Sequence, residues 1–500
     1  MKYYPLIFFG LLVLNACNKQ LDQLPRDVPV YDNFWQTEKD ANAGIAGAYA
    51  QLRTALITDY GGVGFMAFGD CDARLWDAAP RGDGFLIAGW FQFQSGNTTW
   101  GHYYRTINMA NLVIERVPGI PDNKFTGTGT EAALRKARLL GEAYFIRAYT
   151  YFFMTRVWGE VPLVLNAVKS ADEALAEAEQ AKEDVLLEQC LKDAAQASAL
   201  LQWADRYAAG DWAVRASKGS ALALAAHIHM WRTRQNRKQI DQQDFSKAAV
   251  FCDSVIRFGG YQLLDSSQYR SIFKGKSKEG IFEINFSIEG NEAYGNGAAF
   301  ANYFLAYPVL PRDVMEFPIN NFNPMFLGLF TAADQRTTSV FKGWPDRNLC
   351  IGTKYADIVY KDQYAYRGEN NIELFRLADI LLLRAEALAR LDRFPEAEVL
   401  LNQVRKRSGL PDYVYTPGVT DKRTTYVQNI LEERLRELFM EGHALYDLVR
   451  TGFYGRSITT GNYDEGRYME EGHFHPVNPD LIKLNRKLHQ TPYWASRLQP

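Results

Sequence analysis

Apolar residues recur every three to four positions over several long stretches of this 500-residue chain. That spacing places them on one face of an α-helix. It predicts helices at residues 37–56, 100–117, 131–157, 182–202, 214–234, 244–258, 373–391, 394–408 and 424–450. The stretch 131–157 carries aromatic residues on more than one face, so we expect it to be buried between other helices. The pattern therefore predicts a mainly α fold.

Several of these helices form pairs joined by tight turns. The stretch 374–391 leads through Asp392-Arg393 into Phe394-Pro395, where proline occupies a favoured position at a helix start. The stretches 214–234 and 244–258 follow a similar plan. Helix pairs of this length resemble tetratricopeptide units, although they are irregular and not in tandem. We expect a scaffold of tetratricopeptide-like helix pairs.

Two long segments, residues 60–100 and 260–370, lack a sustained period. Within the second, only residues 280–286 have the pattern of a short strand. Long loop-rich segments in compact proteins are usually functional or disordered, and the many aromatic residues in both segments argue against disorder. The sequence therefore predicts a second, loop-rich subdomain with little β structure.

The N-terminus has the pattern of an export signal. Met1-Lys2 precedes an apolar run at residues 6–14, which is too short to cross a membrane. The following Leu14-Asn15-Ala16-Cys17 resembles a bacterial lipoprotein box, in which Cys17 would become the acylated N-terminus. The alternative is an ordinary signal peptide followed by an unrelated cysteine. No later stretch is long and apolar enough to span a bilayer.

Composition narrows the classes of function. The formal net charge of −2 excludes a basic nucleic-acid-binding surface as the main feature, and we expect no nucleic-acid partner. Aromatic residues make up 14% of the chain and can serve either cores or binding platforms. Four cysteines besides Cys17 show no metal-binding spacing, and their disulfide state stays open: Cys71, Cys190, Cys252 and Cys350. Cys190 and Cys252 lie in helical patterns, which favours buried thiols.

Motifs for catalysis and cofactors are weak. Residues 62–67 match the G-x-G-x-x-A pattern, but they follow a helical stretch and open no clear helix, so we discount a dinucleotide site. His227 and His229 are two residues apart on a helix and point to different faces. We expect neither a metal nor a cofactor. Three carboxylates in the first loop-rich segment could serve glycoside hydrolysis or simply accept hydroxyl hydrogen bonds: Asp70, Asp72 and Asp77.

Aromatic rings next to short polar side chains suit a sugar ligand, because pyranose C–H edges pack on ring faces while polar groups bind the hydroxyls. The first segment supplies Asp72, Arg74, Trp76, Trp90 and Asn97. The second supplies Asn291, Tyr294, Asn296, Asn302, Tyr303 and Trp344. Core packing is the alternative for each single aromatic residue. We predict that the two segments jointly line a surface site.

A series of motifs in order resembles the SusD/RagB family of outer-membrane nutrient-uptake lipoproteins, over nearly the whole chain. The most specific block is Gly141-Glu142-Ala143-Tyr144-Phe145-Ile146-Arg147-Ala148, followed by Trp158-Gly159-Glu160-Val161-Pro162. Similar motifs occur at residues 21–27, 34–35, 47–52, 100–111, 216–224, 375–387, 430–450 and 484–493. The family often has arginine where His443 stands here, which is a mild departure.

The resemblance implies a glycan-binding lipoprotein, not an enzyme. It would be held in the outer membrane by an acyl anchor and would face the outside of the cell. It also implies a SusC-type TonB-dependent transporter as partner. The charged residues of the motifs would form structural networks on packed helices: Glu142, Arg147, Glu433, Arg434 and Asp447. Trp100, in a motif helix, would belong to the core. Binding of peptides by the same kind of importer, an exported glycoside hydrolase, and a purely structural role for the aromatic segments remain open alternatives.

These observations divide the chain as follows. We expect a signal peptide at residues 1–16, a tether at 17–35, an N-terminal helical region at 36–260 and a C-terminal region at 261–500. Within the C-terminal region, residues 261–370 are loop-rich, 373–450 are helical and 451–500 form an irregular tail. The identity, linkage and length of a glycan ligand lie beyond these patterns.

Overall fold

The computed structural model describes residues 34–58, 64–70, 75–78, 100–170, 173, 177–234, 242–287, 304–318, 320–360, 366–418, 421–453 and 465–498. The predicted signal peptide, the lipidation site Cys17 and most of the tether lie outside the described residues. Across the described ranges, no helix combines the length and apolar character needed to cross a bilayer.

Helices dominate the structure. The first half contains α1 (Glu38–Thr58), α2 (Gly64–Gly69), α3 (Gly101–Arg116), α4 (Thr130–Trp158), α5 (Glu183–Leu200), α6 (Lys218–Arg232) and α7 (Gln242–Phe258). The second half contains α8 (Tyr269–Lys274), α9 (Pro324–Leu327), α10 (Arg336–Ser339), α11 (Leu377–Arg390), α12 (Phe394–Arg407), α13 (Lys422–Leu438), α14 (Ala444–Thr451), α15 (Glu465–Met469), α16 (Pro479–Leu484) and α17 (Pro492–Ala495).

The long helices pack in sequence. Helix α1 contacts α3, which contacts α4, and the contacts continue through α5 and α6 to α7. Helix α7 then packs on α11, which also contacts α12 and α13. From Gly141 to its end, α4 is buried on nearly every side, as its all-round apolar pattern predicted. The mainly α fold with a helix-pair scaffold is confirmed.

The strands form short antiparallel pairs that lie mostly in the second half of the chain. The strands are β1 (Trp76–Ala78), β2 (Val161–Pro162), β3 (Gln180–Ala181), β4 (Gly280–Ile284), β5 (Asn320–Phe322), β6 (Phe341–Lys342), β7 (Ile351–Gly352), β8 (Ile358–Tyr360), β9 (Tyr366–Gly368) and β10 (Ile372–Arg376). The pairs are β1·β5, β2·β3, β4·β10, β6·β7 and β8·β9. This confirms a loop-rich subdomain with little β structure.

Eight of the nine predicted helices match an observed helix to within four residues at each end, but two predictions are wrong in part. The stretch 373–391 begins as strand β10, because Ile372–Arg376 pairs with the predicted strand β4 before α11 starts at Leu377. The stretch 424–450 is two helices, α13 and α14. Between them, Met440 and Gly442 have φ angles of 66° and 76°, in the left-handed region that ends a helix.

Buried ion pairs hold the motif helices together, as the sequence predicted. The Arg147 guanidinium on α4 donates two hydrogen bonds to Asp193 on α5, at 2.7 and 2.8 Å. Glu142 accepts from Arg138 and Arg215. Arg434 on α13 lies 2.9 Å from Asp379 and 2.7 Å from Asp447. Glu433 lies 2.8 Å from Arg336 on α10, so one such pair joins the loop-rich subdomain to the scaffold.

Two further sequence predictions are confirmed in the core. Cys190 and Cys252 are buried free thiols, as is Cys350, and burial raises the pKa of all three. Cys71 lies outside the described residues. Trp100 is buried, with its ring centroid 6.2 Å from that of Trp158.

Candidate functional site

The two loop-rich segments meet in a short antiparallel ladder. Strand β1, from the first segment, pairs with β5, from the second, so that Trp76 lies opposite Phe322 and Ala78 opposite Asn320. The backbone N–H of Asn323 extends the ladder by donating to the Leu75 carbonyl at 2.8 Å. The described parts of both segments therefore lie next to each other.

A cluster of aromatic rings packs beneath this ladder. The Trp76 ring lies 5.1 Å from the Phe304 ring and 5.7 Å from the Phe322 ring. The Phe322 ring also contacts Phe341 and Phe439, which stack on each other at 4.8 Å. Part of the aromatic content of the loop-rich segments is therefore buried in the main hydrophobic core, which also contains the scaffold helices.

The structure corrects the prediction for Trp76. Only 1% of its surface is exposed, because Phe304 and Phe322 pack against its ring. A ring enclosed in this way cannot stack on a sugar, so Trp76 is a core residue. The alternative of core packing holds for this position.

Trp344 lies at the loop between β6 and β7. The preceding Gly343 has a φ of 81°, which favours glycine, and starts the turn. The Trp344 ring is half-buried against the core, and none of the described residues accepts a hydrogen bond from its buried indole N–H. Its role in ligand binding stays a prediction.

The remaining predicted site residues lie outside the described residues, and their role also stays a prediction. They are Asp72, Arg74, Trp90, Asn97, Asn291, Tyr294, Asn296, Asn302 and Tyr303.

Two exposed aromatic residues lie in the second segment and were not selected from the sequence. Tyr307 is 49% exposed, and the Arg312 guanidinium carbon lies 4.6 Å from its ring centroid. Phe317 is 38% exposed. Below this stretch, Leu305 and Leu310 form a small apolar cluster with Ala356. Composition could not separate these rings from buried ones nearby, because both kinds lie in the same irregular sequence.

Of the three carboxylates proposed for hydrolysis, Asp70 alone has a described side chain. Asp70 is fully buried and accepts hydrogen bonds from the backbone N–H groups of Gly442 at 2.8 Å and Ala444 at 3.0 Å. Burial raises its pKa to about 7. It therefore caps the start of α14. The side chains of Asp72 and Asp77 lie outside the described residues.

The glycine-rich residues and the two helical histidines have structural roles as far as the structure describes them. The glycine-rich residues open a short helix after all, since α2 begins at Gly64, but it has only six residues. His227 contacts Asp379 at 2.7 Å and His229 contacts Asp244 at 2.6 Å, so the two rings serve different faces as predicted. In the described part of the chain, no group of three or more His, Cys, Asp or Glu side chains could hold a metal ion.

Comparisons with known proteins agree with this architecture. Residues 351–494 match a family model described as the SusD family. Residues 89–230 match a second model, described as starch-binding and associating with the outer membrane. Both matched ranges include helices of the scaffold.

Individual relatives match most of the chain. A SusD-like protein of Formosa agariphila is 30% identical, with 89% of this chain and 90% of that protein covered. The starch-binding protein SusD of Bacteroides thetaiotaomicron is 37% identical, but over only 20% of this chain and 16% of its own length. The crystal structure of a SusD homologue from the same species is 26% identical, with a TM-score of 0.77, covering 92% of this chain and all of that one. The chain therefore belongs to the SusD/RagB family.

Proposed function

We propose that this protein captures oligosaccharides or polysaccharides at the cell surface and delivers them to a SusC-type TonB-dependent transporter, as a binding protein and not an enzyme. The observation that carries the proposal is the β1·β5 ladder, which brings two aromatic, loop-rich segments together over a cluster of buried aromatic rings. The description of the matching family model as starch-binding supports the ligand class.

Exposed rings beside this core supply the chemistry for sugar binding. Tyr307 exposes nearly half of its surface, while the Arg312 guanidinium packs against its ring and also pairs with Glu316 at 3.3 Å. A ring held in this way can stack on a pyranose at a low cost in side-chain entropy, with charged groups close by for the hydroxyls. We assign Tyr307 and Trp344 to the ligand-binding surface.

We further propose that acyl chains on Cys17 anchor the protein in the outer membrane, facing outward. The family model is described as associating with the outer membrane, which supports the location. Each buried CH₂ of an acyl chain contributes about 0.8 kcal/mol, so two or more chains give stable anchoring. Residues 18–33 would connect the anchor to the folded part.

Calorimetric titration of the purified protein with a panel of polysaccharides and peptides tests the ligand class. We expect at least one polysaccharide to bind. Binding of peptides alone would overturn the proposal in favour of a peptide importer. Absence of binding to every member of a broad glycan panel would also count against it.

Variants then test the site. Stacking on an aromatic side chain contributes about 1–3 kcal/mol in nucleic-acid platforms, so Tyr307→Ala and Trp344→Ala should each weaken binding by about 5- to 150-fold. Phe258→Ala is a matched control, because Phe258 on α7 is 59% exposed and also has an arginine, Arg257, near its ring. Equal binding by the control and by both site variants would refute the assignment.

A further inference from the structure

Two glutamates face each other across the β4·β10 pair. Glu283 on β4 is the register partner of Glu373 on β10, and both side chains are fully buried. Directly opposed residues in an antiparallel pair have Cβ atoms about 4.5–5.5 Å apart, on the same face of the sheet. Two carboxyl groups therefore share one buried space.

Hydrogen bonds satisfy this pair only in part. Glu283 Oε2 accepts from the backbone N–H of Lys276 at 2.8 Å and from the Asn371 side-chain amide at 2.9 Å. Glu283 Oε1 lies only 1.9 Å from the position that a Cβ on Gly280 would take. No other described residue donates a hydrogen bond to Glu283 Oε1 or to either carboxyl oxygen of Glu373.

No side-chain donor of a neighbouring cation among the described residues bonds either carboxyl, and the charges of Lys276 and Arg376 lower the pKa values of the pair less than burial raises them. All five N–H donors of Arg376 bind other acceptors, on Glu279, Glu437 and Glu441. Lys354 donates to the Glu437 carbonyl and to the Glu441 carboxylate. Lys276 has an exposed side chain. Glu441 also raises the pKa of Glu373. The nearby Tyr355 is neutral when protonated, and burial together with Glu373, Glu441 and Asp70 raises its pKa.

Two ionised carboxylates without a cation between them are strongly disfavoured in a buried space, because each loses its hydration and repels the other. A proton held by one carboxyl relieves both penalties, since its O–H can donate to the other carboxylate. Burial raises the pKa of Glu283 to about 7. Burial, with Glu283 as the next cause, also raises the pKa of Glu373 well above its ordinary value of 4.5.

We propose that Glu283 and Glu373 share one proton in the folded protein, and that this proton stabilises the junction between the scaffold and the loop-rich subdomain. Strand β10 leads directly into α11 of the scaffold. Strand β4 ends at Ile284, shortly before the segment that carries the predicted ligand residues Tyr294, Asn296 and Tyr303. Loss of the proton would weaken the pairing of these two strands.

An open pocket lies next to the pair. Glu283 lines an open pocket of about 310 Å³ between α1, residues 210–215 and the end of β4. Tyr49 and Arg215 also line this pocket. Solvent therefore comes close to the pair on the Glu283 side, where the carboxyl itself stays buried.

Proton linkage gives the proposal a measurable sign. Above its ordinary pKa of about 4.5, an unfolded glutamate has released its proton, whereas the folded pair retains one. Unfolding then releases one proton from the pair, so the unfolding equilibrium constant rises up to tenfold per pH unit. The stabilisation that the pair gives the folded protein is complete at low pH and is lost as the pH rises through the pKa values of the folded pair.

Urea unfolding of the purified protein between pH 5 and pH 8 tests the proposal. In Glu373→Gln, the amide N–H can donate to Glu283 without a shared proton. We expect the ratio of the wild-type unfolding constant to that of the variant to rise up to tenfold per pH unit while the folded pair keeps its proton. The same comparison in the Asp70→Asn background, which removes the separate titration of Asp70, should give the same rise with pH. Parallel pH curves for wild type and Glu373→Gln would overturn the proposal.

Infrared spectroscopy supplies a second readout that does not depend on the stability of the Glu373 variant. In the Asp70→Asn background, the folded protein at pH 6 should show the carbonyl band of a protonated carboxylic acid. Additional replacement of Glu373 or Glu283 by glutamine should remove that band. Absence of the band in the Asp70→Asn protein would also overturn the proposal.

Discussion

Asp70 joins α2 to the start of α14, and its replacement gives a prediction with a defined dependence on pH. Asp70 accepts hydrogen bonds from the backbone N–H groups of Gly442 and Ala444. These groups lie at the start of α14, where they have no intrahelical partner. In Asp70→Ala both groups lose their acceptor. Asp70→Asn keeps one acceptor oxygen in place of two.

The magnitude follows from these two bonds and from the buried charge. A buried group left without its partner costs about 1–3 kcal/mol, so Asp70→Ala should lower the free energy of unfolding by about 2–6 kcal/mol at pH 5. At that pH the wild-type carboxyl is neutral, because burial raises its pKa to about 7 from an ordinary value of 3.8. Asp70→Asn should lose about half as much.

The difference between wild type and either variant should shrink as the pH rises. The folded wild-type protein keeps a proton that the unfolded chain releases, so its stability falls between the unfolded and the folded pKa. Two pH units between pH 5 and a pKa of about 7, at 1.36 kcal/mol each, amount to about 3 kcal/mol. Urea titrations at pH 5, 6, 7 and 8 measure this change. A difference that stays constant or grows with pH would refute our account of Asp70.

Two further predictions concern the anchor and the packing of α2. Cys17→Ala should abolish acylation and release the protein from washed outer membranes; continued retention there would contradict a lipid anchor at this residue. Gly69→Ala should lower the free energy of unfolding by about 1–3 kcal/mol or more, because its Cβ would lie 2.0 Å from the Gly442 carbonyl oxygen. Gly101→Ala is the control, because no atom lies within 4 Å of the new Cβ, and it should leave stability unchanged or raise it by up to about 1 kcal/mol. Equal losses of stability in the Gly69 and Gly101 variants would refute the packing argument.

Periodicity predicted the helices well because most of them bury one face or all faces against neighbouring helices. The helix-pair plan at α11 and α12 was also visible, since a proline at the second residue of α12 marks its start. The errors occurred where tertiary contacts override local preference. Residues 373–376 have an apolar pattern compatible with a helix, but pairing with β4 makes them a strand. The break at Gly442 depends on its close contact with α2, which is distant in sequence.

The candidate site was less predictable. Aromatic and polar residues in irregular sequence marked two segments that the ladder joins, but composition does not tell an exposed ring from a buried one. Trp76 and Tyr307 show this, because both lie in such sequence, yet only Tyr307 is exposed. The buried charges were predictable as networks from the motif helices. The carboxyl pair at Glu283 and Glu373 was not, because it depends on the register of two strands about 90 residues apart.

The burial of Trp76 explains how the described parts of the two long segments are held next to each other. A two-stranded ladder of three residues is marginal by itself, so β1 and β5 need further stabilisation. Each aromatic pair adds about 0.5–1.5 kcal/mol beyond the burial of its area, and Trp76 forms two such pairs. A small residue at position 76 would therefore act on ligand binding by separating the segments, and not by removing a stacking face. The aromatic residues of this subdomain thus have two distinct roles: the buried rings fix the positions of the segments, and the exposed rings remain available to a ligand.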